Sequence, residues 1–263
     1  MYILNFQTMI EIPESQTVAR QVRETLAGRT VTGVFNATHP HKFIWYTGDP
    51  LEYPMLLTGR KIVGAEGCGA FVDVLLENDM HLALSDGVIL RLYGCEDPIP
   101  AKYQLLVTLD DGSFLVCTVA MYGGINAFPG KSDNPYYQGA RTKCSPLEER
   151  FDAGYFSRLW AASKQNLSAK AFLATEQRIP GLGNGVLQDI LFRAGIHPKR
   201  KLATLGDADA ERLFRTLKSV LREMTDRGGR DTEKTSSGNR ADMPYNFRAT
   251  PARSRARFAA DRS

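Results

Sequence analysis

From Glu14 to Ala27 apolar side chains return at Val18, Val22 and Leu26, a spacing of four that draws one stripe down a helix. Gly28 follows where a helix commonly ends on glycine. From Thr30 the pattern changes. The runs TVTGVF, KIVGAE, AFVDVLL, MHLAL, VILRLY, YQLLVTL and SFLVCTVAMY, spread over residues 30–122, are rich in β-branched and aromatic residues and predict strands. Ser85-Asp86-Gly87 and Asp110-Asp111-Gly112 fall between such runs and predict hairpin turns. Residues 131–148 are polar and turn-rich, the composition of a linker. Helical periodicity then takes over in AGYFSRLWAASK, AKAFLATEQ and GVLQDILFRAG. It is clearest over residues 207–226, where Leu213, Leu217, Val220, Leu221 and Met224 share a face and Gly228-Gly229 lies past the end. Beyond Gly229 no period remains. The fold class is therefore α+β: a β-rich domain over residues 9–130, a linker over 131–148, a helical domain over 149–229 and a tail over 230–263.

Length and composition agree with this division. The 263 residues are 43% hydrophobic and 24% charged, enough for two domains that each bury a core. No apolar run approaches the roughly eighteen residues of a membrane span. The opening residues, MYILNFQT, lack the basic stretch and small-residue cleavage site of a secretory signal, so a cytoplasmic location is expected. Cys68, Cys95, Cys117 and Cys144 are far apart and form no Cys-x-x-Cys pair. They read as free thiols rather than zinc ligands.

Charge adds one point. Residues 227–263 carry nine Lys/Arg against four acids, a net +5, while residues 1–226 hold 24 basic and 25 acidic residues. The counterion release that draws a protein to nucleic acid is thus concentrated in the tail.

The densest chemistry lies in EQRIPGLGNGVLQDILFRAGIHPKR, residues 176–200. Pro180 stops one helix, Gly181 and Gly183 permit a tight turn, and Asn184 suits the N-cap of the next helix. Free backbone N–H groups at a helix N-terminus form a ready anion site. Gly-x-Gly alone is weak evidence, and an ordinary interhelical turn has the same appearance. A dinucleotide fingerprint would follow a strand, and here a helix precedes.

This stretch resembles the helix–two-turn–helix motif of the formamidopyrimidine-DNA glycosylase / endonuclease VIII family of base-excision-repair enzymes. The likeness includes Lys170 fourteen residues before Asn184, the Gly-x-Gly-Asn turn and the AGIHP ending at Pro198. The opening IEIPESQTVARQV is similar to the family's N-terminal Pro-Glu-Leu-Pro-Glu-x-Glu-Thr. The resemblance covers roughly residues 9–234 and implies an N-terminal β-sandwich followed by the helix–two-turn–helix domain. It implies double-stranded DNA with a damaged or abasic site as partner, a monomeric protein and glycosylase / AP lyase chemistry. Lys170, Gly181, Gly183 and Asn184 would then hold backbone phosphates.

In that family an N-terminal proline amine attacks C1′ and forms a Schiff base, and the following glutamate transfers protons. The matching positions here are Ile10 and Glu11. Ile10 follows nine residues, so its nitrogen is a peptide amide and is not expected to act as the nucleophile. Glu11 reads either as a surviving general acid or as a carboxylate at a helix start. The family's lysine on a strand following an Arg-rich turn has no counterpart in the matching AEGCGAF, and its inserting side chains are answered by ALSDG and VAMYGG. Met121 and Tyr122 are the wedge candidates there, with core or turn placement as the simpler reading.

The family's C-terminal zinc ribbon has no counterpart, so its structural zinc is expected to be absent. Thr235-Ser236-Ser237-Gly238 and Arg240-Ala241-Asp242-Met243 are what the family's usual continuation yields when its codons are read one nucleotide late. A slip near Lys234 and a disordered tail are the corresponding expectations.

Overall fold

The computed structural model describes residues 9–163 and 166–230. The expectations for Met1–Thr8 and for the tail beyond Arg230 lie outside the described residues.

Helix α1 (Ile12–Leu26) is the predicted helix, opened by Pro13 in its first turn. Glu14 Oε2 accepts the Glu11 N–H at 3.1 Å, half of a capping box. Val18, Val22 and Leu26 are buried in the core beneath the sheet, whereas Ile12, on the same helix, enters a second core among the later helices. One helix therefore belongs to both hydrophobic clusters.

The strands are β1 (Val31–Asn36), β2 (Ile44–Tyr46), β3 (Ile62–Cys68), β4 (Phe71–Leu76), β5 (Met80–Tyr93), β6 (Leu105–Leu109) and β7 (Phe114–Pro129). They form one sheet in the order β1-β6-β7-β5-β4-β3, with β2 parallel to β7. The strands of the expected β-rich domain are hydrogen-bonded into one network, because β5 and β7 are long enough to pair along their whole length and with β4 and β6. One expectation changes here. Ser85-Asp86-Gly87 is not a hairpin turn but part of β5. The register jumps from Asp86↔Gly123 to Val88↔Val119, so Gly87 faces the three residues Ala120, Met121 and Tyr122. That is a β-bulge, which bends a strand and re-aims its side chains. Asp110-Asp111-Gly112 does turn between β6 and β7.

A short helix, α2 (Tyr53–Leu57), follows β2 and buries Tyr53 and Leu57 against the sheet core. Residues 131–148 are not a plain linker, since they contain α3 (Pro135–Thr142). Asn134 caps it by accepting the Tyr136 and Tyr137 N–H groups at 2.9 and 3.3 Å. The helix is anchored to the sheet through Tyr137, whose hydroxyl donates to buried Asp73 at 2.5 Å. His81 Nδ1 lies 3.0 Å from the same oxygen, so the Asp73 carboxyl has polar partners despite its burial.

The helical domain comprises α4 (Ala153–Ala161), α5 (Ala169–Ala174), α6 (Asn184–Arg193) and α7 (Asp207–Asp226). Leu213, Leu217, Val220 and Leu221 are buried as the stripe predicts, with Met224 partly buried beside them. Helix α5 ends six residues before Pro180: its cap Thr175 is extended, and Glu176 and Gln177 adopt positive φ.

Candidate functional site

Between the sheet and the helical domain lies a cleft of about 1070 Å³. Its walls are the segment Met9–Glu11, the bulge of β5, the tip of β2, the start of α3 and the turn 180–185.

Ile10 sits at its base. The side chain is 4% exposed and packs into the sheet core. Its amide N–H donates to the Asp86 carbonyl at 2.8 Å. The nitrogen in the place of the family's amine is thus an acylated, hydrogen-bonded donor without a free lone pair.

Glu11 is nearly as buried, and its carboxylate lies against the N-terminus of α6. Oε2 accepts the N–H groups of Gly183 and Val186 at 3.1 and 3.0 Å, and Oε1 accepts that of Gly185 at 3.0 Å. Arg230 Nη1 supplies a fourth donor, to Oε1, at 2.8 Å. A carboxylate has about four acceptor positions, and all four are filled. Burial raises the Glu11 pKa above its ordinary value, while Arg230 and the helix N–H groups pull it back towards the ionised form. The expected N-cap changes accordingly. Gly183 holds the cap position of α6, Asn184 is its first residue, and the capping oxygens come from Glu11, 172–175 residues away.

The same contacts account for the turn. Gly181 has φ +79°, and a Cβ there would stand 2.1 Å from the Gly69 carbonyl carbon. Its carbonyl accepts the Ile12 N–H at 3.1 Å. Gly185 leaves the room that the Arg230 guanidinium occupies, with Nη1 only 1.7 Å from where a Cβ would sit. Gly181 and Gly183, read as phosphate-binding positions, are therefore engaged in packing and in the Glu11 contact. Lys170 on α5 and Asn184 at the head of α6 are exposed, placed where an external anion can reach them.

Arg230 was assigned to the tail and belongs to the fold. It is 8% exposed. Besides Glu11 it reaches Glu14 Oε1 through Nε at 3.0 Å and the Met9 carbonyl through Nη2 at 2.5 Å. Its own backbone N–H donates to Glu14 at 2.9 Å. Gly228 and Gly229, both at positive φ, turn the chain back after α7 and bring it there.

One cleft residue, Trp45, escapes the sequence reading, and two others, Tyr122 and Asp86, are placed differently from it. Trp45 belongs to a three-residue strand too short to show a period. It is 55% exposed and stands edge-on to Tyr122, ring centroids 5.9 Å apart. Met121 and Tyr122 are exposed in the bulge and are neither core nor turn. Asp86, read as a turn residue, lines the cleft with φ 58°. Its Oδ2 accepts the Ser85 hydroxyl at 3.0 Å, and burial raises its pKa. The signal for Asp86 was present in its Asp-Gly pair, because aspartate enters the left-handed region more readily than most residues.

Among the described residues no group of three or more His, Cys, Asp or Glu side chains is arranged to hold a metal ion. Cys68 and Cys117 are buried, Cys95 is exposed and Cys144 half-buried, each a free thiol. Burial pushes the Cys68 thiol up to about 12. No helix among the described residues is long and apolar enough to cross a membrane.

Comparison with known proteins agrees with this geometry. Residues 144–236 match the formamidopyrimidine-DNA glycosylase H2TH domain. The formamidopyrimidine-DNA glycosylase of Bacillus subtilis is 28% identical over 225 residues, covering 84% of this chain and 79% of that protein. That of Geobacter metallireducens is 28% identical over 244 residues, covering 91% and 87%. Among solved structures, the Lactococcus lactis Fpg in complex with DNA containing an abasic site superposes with a TM-score of 0.73 at 22% identity. The match covers 86% of this chain and 82% of that one. A mutant of the same protein bound to Fapy-dG containing DNA gives the same TM-score and coverage. Residues 144–236 thus carry the H2TH domain of formamidopyrimidine-DNA glycosylases, and the chain is similar to these proteins over most of its length.

Proposed function

We propose that this protein is a monomeric, cytoplasmic base-excision-repair protein that binds double-stranded DNA at a damaged base or an abasic site. The observation that carries this reading is the cleft. It opens between the sheet and the helix–two-turn–helix domain and is large enough to take a nucleotide turned out of the duplex. Its aromatic rim, Trp45 and Tyr122, offers a ring surface on which a nucleobase can stack. Exposed Asn184 lines the cleft and exposed Lys170 lies on α5 of the helical domain, both suited to phosphate contacts that position a duplex without reading its sequence. The relatives named above are DNA glycosylases, and the superposing structures hold abasic or damaged DNA.

The test is a binding titration with a duplex bearing one tetrahydrofuran abasic analogue against the same duplex intact, at several salt concentrations. Tighter binding of the abasic duplex is expected. Lys170→Ala should weaken binding to both duplexes and reduce the salt slope by about one. Equal affinity for the two duplexes would refute damage recognition. An unchanged slope in Lys170→Ala would remove the phosphate assignment.

A further inference from the structure

Among the described residues the cleft holds no amine of the kind that the family resemblance implies as nucleophile. Among the described residues no lysine lines it, and the nitrogen of Ile10 is an amide bonded to a carbonyl. Glu11 has no acceptor position left, since each of its oxygens holds two donors. One partly buried carboxyl in the cleft remains without a cation. Asp86 accepts a hydrogen bond from Ser85 and forms no ion pair among the described residues. It is held at φ 58° in the bulge of β5, and the Ile10 N–H fixes its carbonyl. Non-glycine residues at positive φ inside a cleft are where backbone strain and function coincide, and bulges next to active sites re-aim side chains.

We infer that the cleft removes a damaged base by hydrolysis, with Asp86 as the general base that activates water, and leaves an abasic site in an uncut strand. This rests on the binding reading above and goes beyond it, because it names the bond broken and the residue. The water oxygen bonds to C1′ of the extruded nucleotide, and the C1′–N glycosidic bond breaks with its electron pair leaving on the base. One water proton passes to the Asp86 carboxylate, which then releases it to solvent, and the departing base takes up one proton from solvent, so the count closes without an amine, an oxidant or a second substrate. Ser85 orients the carboxylate through its hydroxyl. The raised pKa of Asp86 suits this role, since a stronger base accepts a proton more readily near neutral pH.

The experiment uses the full chain with end-labelled duplexes carrying either a formamidopyrimidine-dG or an oxidised pyrimidine. Products are resolved before and after alkali, with a parallel borohydride incubation. The expected result is free base from at least one duplex, strand breaks only after alkali, and no trapped protein–DNA adduct. Asp86→Asn keeps a side chain that tolerates the same backbone angle and hydrogen-bonds to Ser85. It should lower base release about 100-fold or more, the usual scale of a general base, while affinity for the tetrahydrofuran duplex stays unchanged. A borohydride adduct, breaks that accompany base release, or an Asp86→Asn rate within a few-fold of the parent would each overturn hydrolysis by Asp86. A parent protein that prefers the tetrahydrofuran duplex yet frees neither base also overturns it and leaves the binding reading standing. Loss of that preference refutes both.

Discussion

Replacing Glu11 by Gln tests whether its carboxylate is the cap of α6. The substitution keeps size and removes charge, but the main effect is geometric. A carboxylate presents two acceptor oxygens, and here each takes two donors. The amide presents one oxygen and one NH2 group. Turned one way, the NH2 faces the N–H groups of Gly183 and Val186. Turned the other way, it faces Gly185 and Arg230. Either way two buried donors lose their acceptor and meet another donor. Hydrogen bonds to charged groups are worth about 1.5–3 kcal/mol each, so the loss is roughly 3–6 kcal/mol, and the 6% exposure of the side chain leaves little solvent to offset it. For a fold of this size each kcal/mol moves Tm by about 2–4 °C. The lower bound of the loss therefore predicts a fall of roughly 6–12 °C, read by circular dichroism and cross-checked by urea unfolding. A Glu11→Gln protein within about 2 °C of the parent would refute the cap and return the carboxylate to the pool of proton-transfer groups.

Three further outcomes follow from the same geometry. Arg230→Met leaves Glu11 and Glu14 buried without their cation and should cost about 3–5 kcal/mol. Combined with Glu11→Gln the loss should be smaller than the sum, because the two residues share a contact; strict additivity in urea unfolding would refute the coupling. Gly181→Ala meets both a positive φ and a backbone 2.1 Å away, so it should lower Tm by more than the cost of about 1 kcal/mol usual for a misplaced side chain at such an angle, whereas an unchanged Tm contradicts the close approach. Asp86→Asn should stabilise the protein at neutral pH. Burial raises the Asp86 pKa in the folded state, so the native form holds its proton to higher pH than the unfolded chain. The resulting cost is absent below the ordinary aspartate value of about 3.9 and grows as pH rises through the folded pKa. The Tm advantage of Asp86→Asn should therefore be larger at pH 8 than at pH 4; a pH-independent difference rejects the assignment.

The parts of this fold that show in the sequence are those built from local periodicity. The four-residue stripe of α1 and the apolar face of α7 place both helices within two residues of their observed bounds, since a helix buried on one face must repeat its pattern every turn. The bulge at Asp86 does not show, because the same αL-tolerant Asp-Gly pair serves a hairpin turn or a bulge, and only the long partner strand β7 decides between them. The Asn134-Pro135 pair does carry a helix start, but one that polar composition hides. The site is harder still. Asn184 looks like the cap by its position, yet a charged oxygen from Glu11 displaces it, and no local rule reaches across 172 residues. Arg230 follows two glycines after a helix, which reads as the end of a fold until the turn they make is seen to return it to Glu14.

These contacts show what holds the cleft together. Three consecutive residues, Met9, Ile10 and Glu11, join three separate parts of the molecule. The Met9 carbonyl holds Arg230, the Ile10 N–H holds the bulge of β5, and the Glu11 carboxylate holds the head of α6. Each bond is made by a group that a nucleophilic N-terminus would need free or would lack. A free amine at Ile10 would have no preceding residue to bind Arg230. The segment thus acts as a fastener that fixes the two walls of the cleft at one separation. Under the proposed hydrolysis, the chemistry falls to a side chain whose polar atoms the fastener leaves unengaged. Among the described carboxylates partly buried in the cleft wall, that is the carboxyl of Asp86, whose backbone carbonyl accepts the Ile10 N–H.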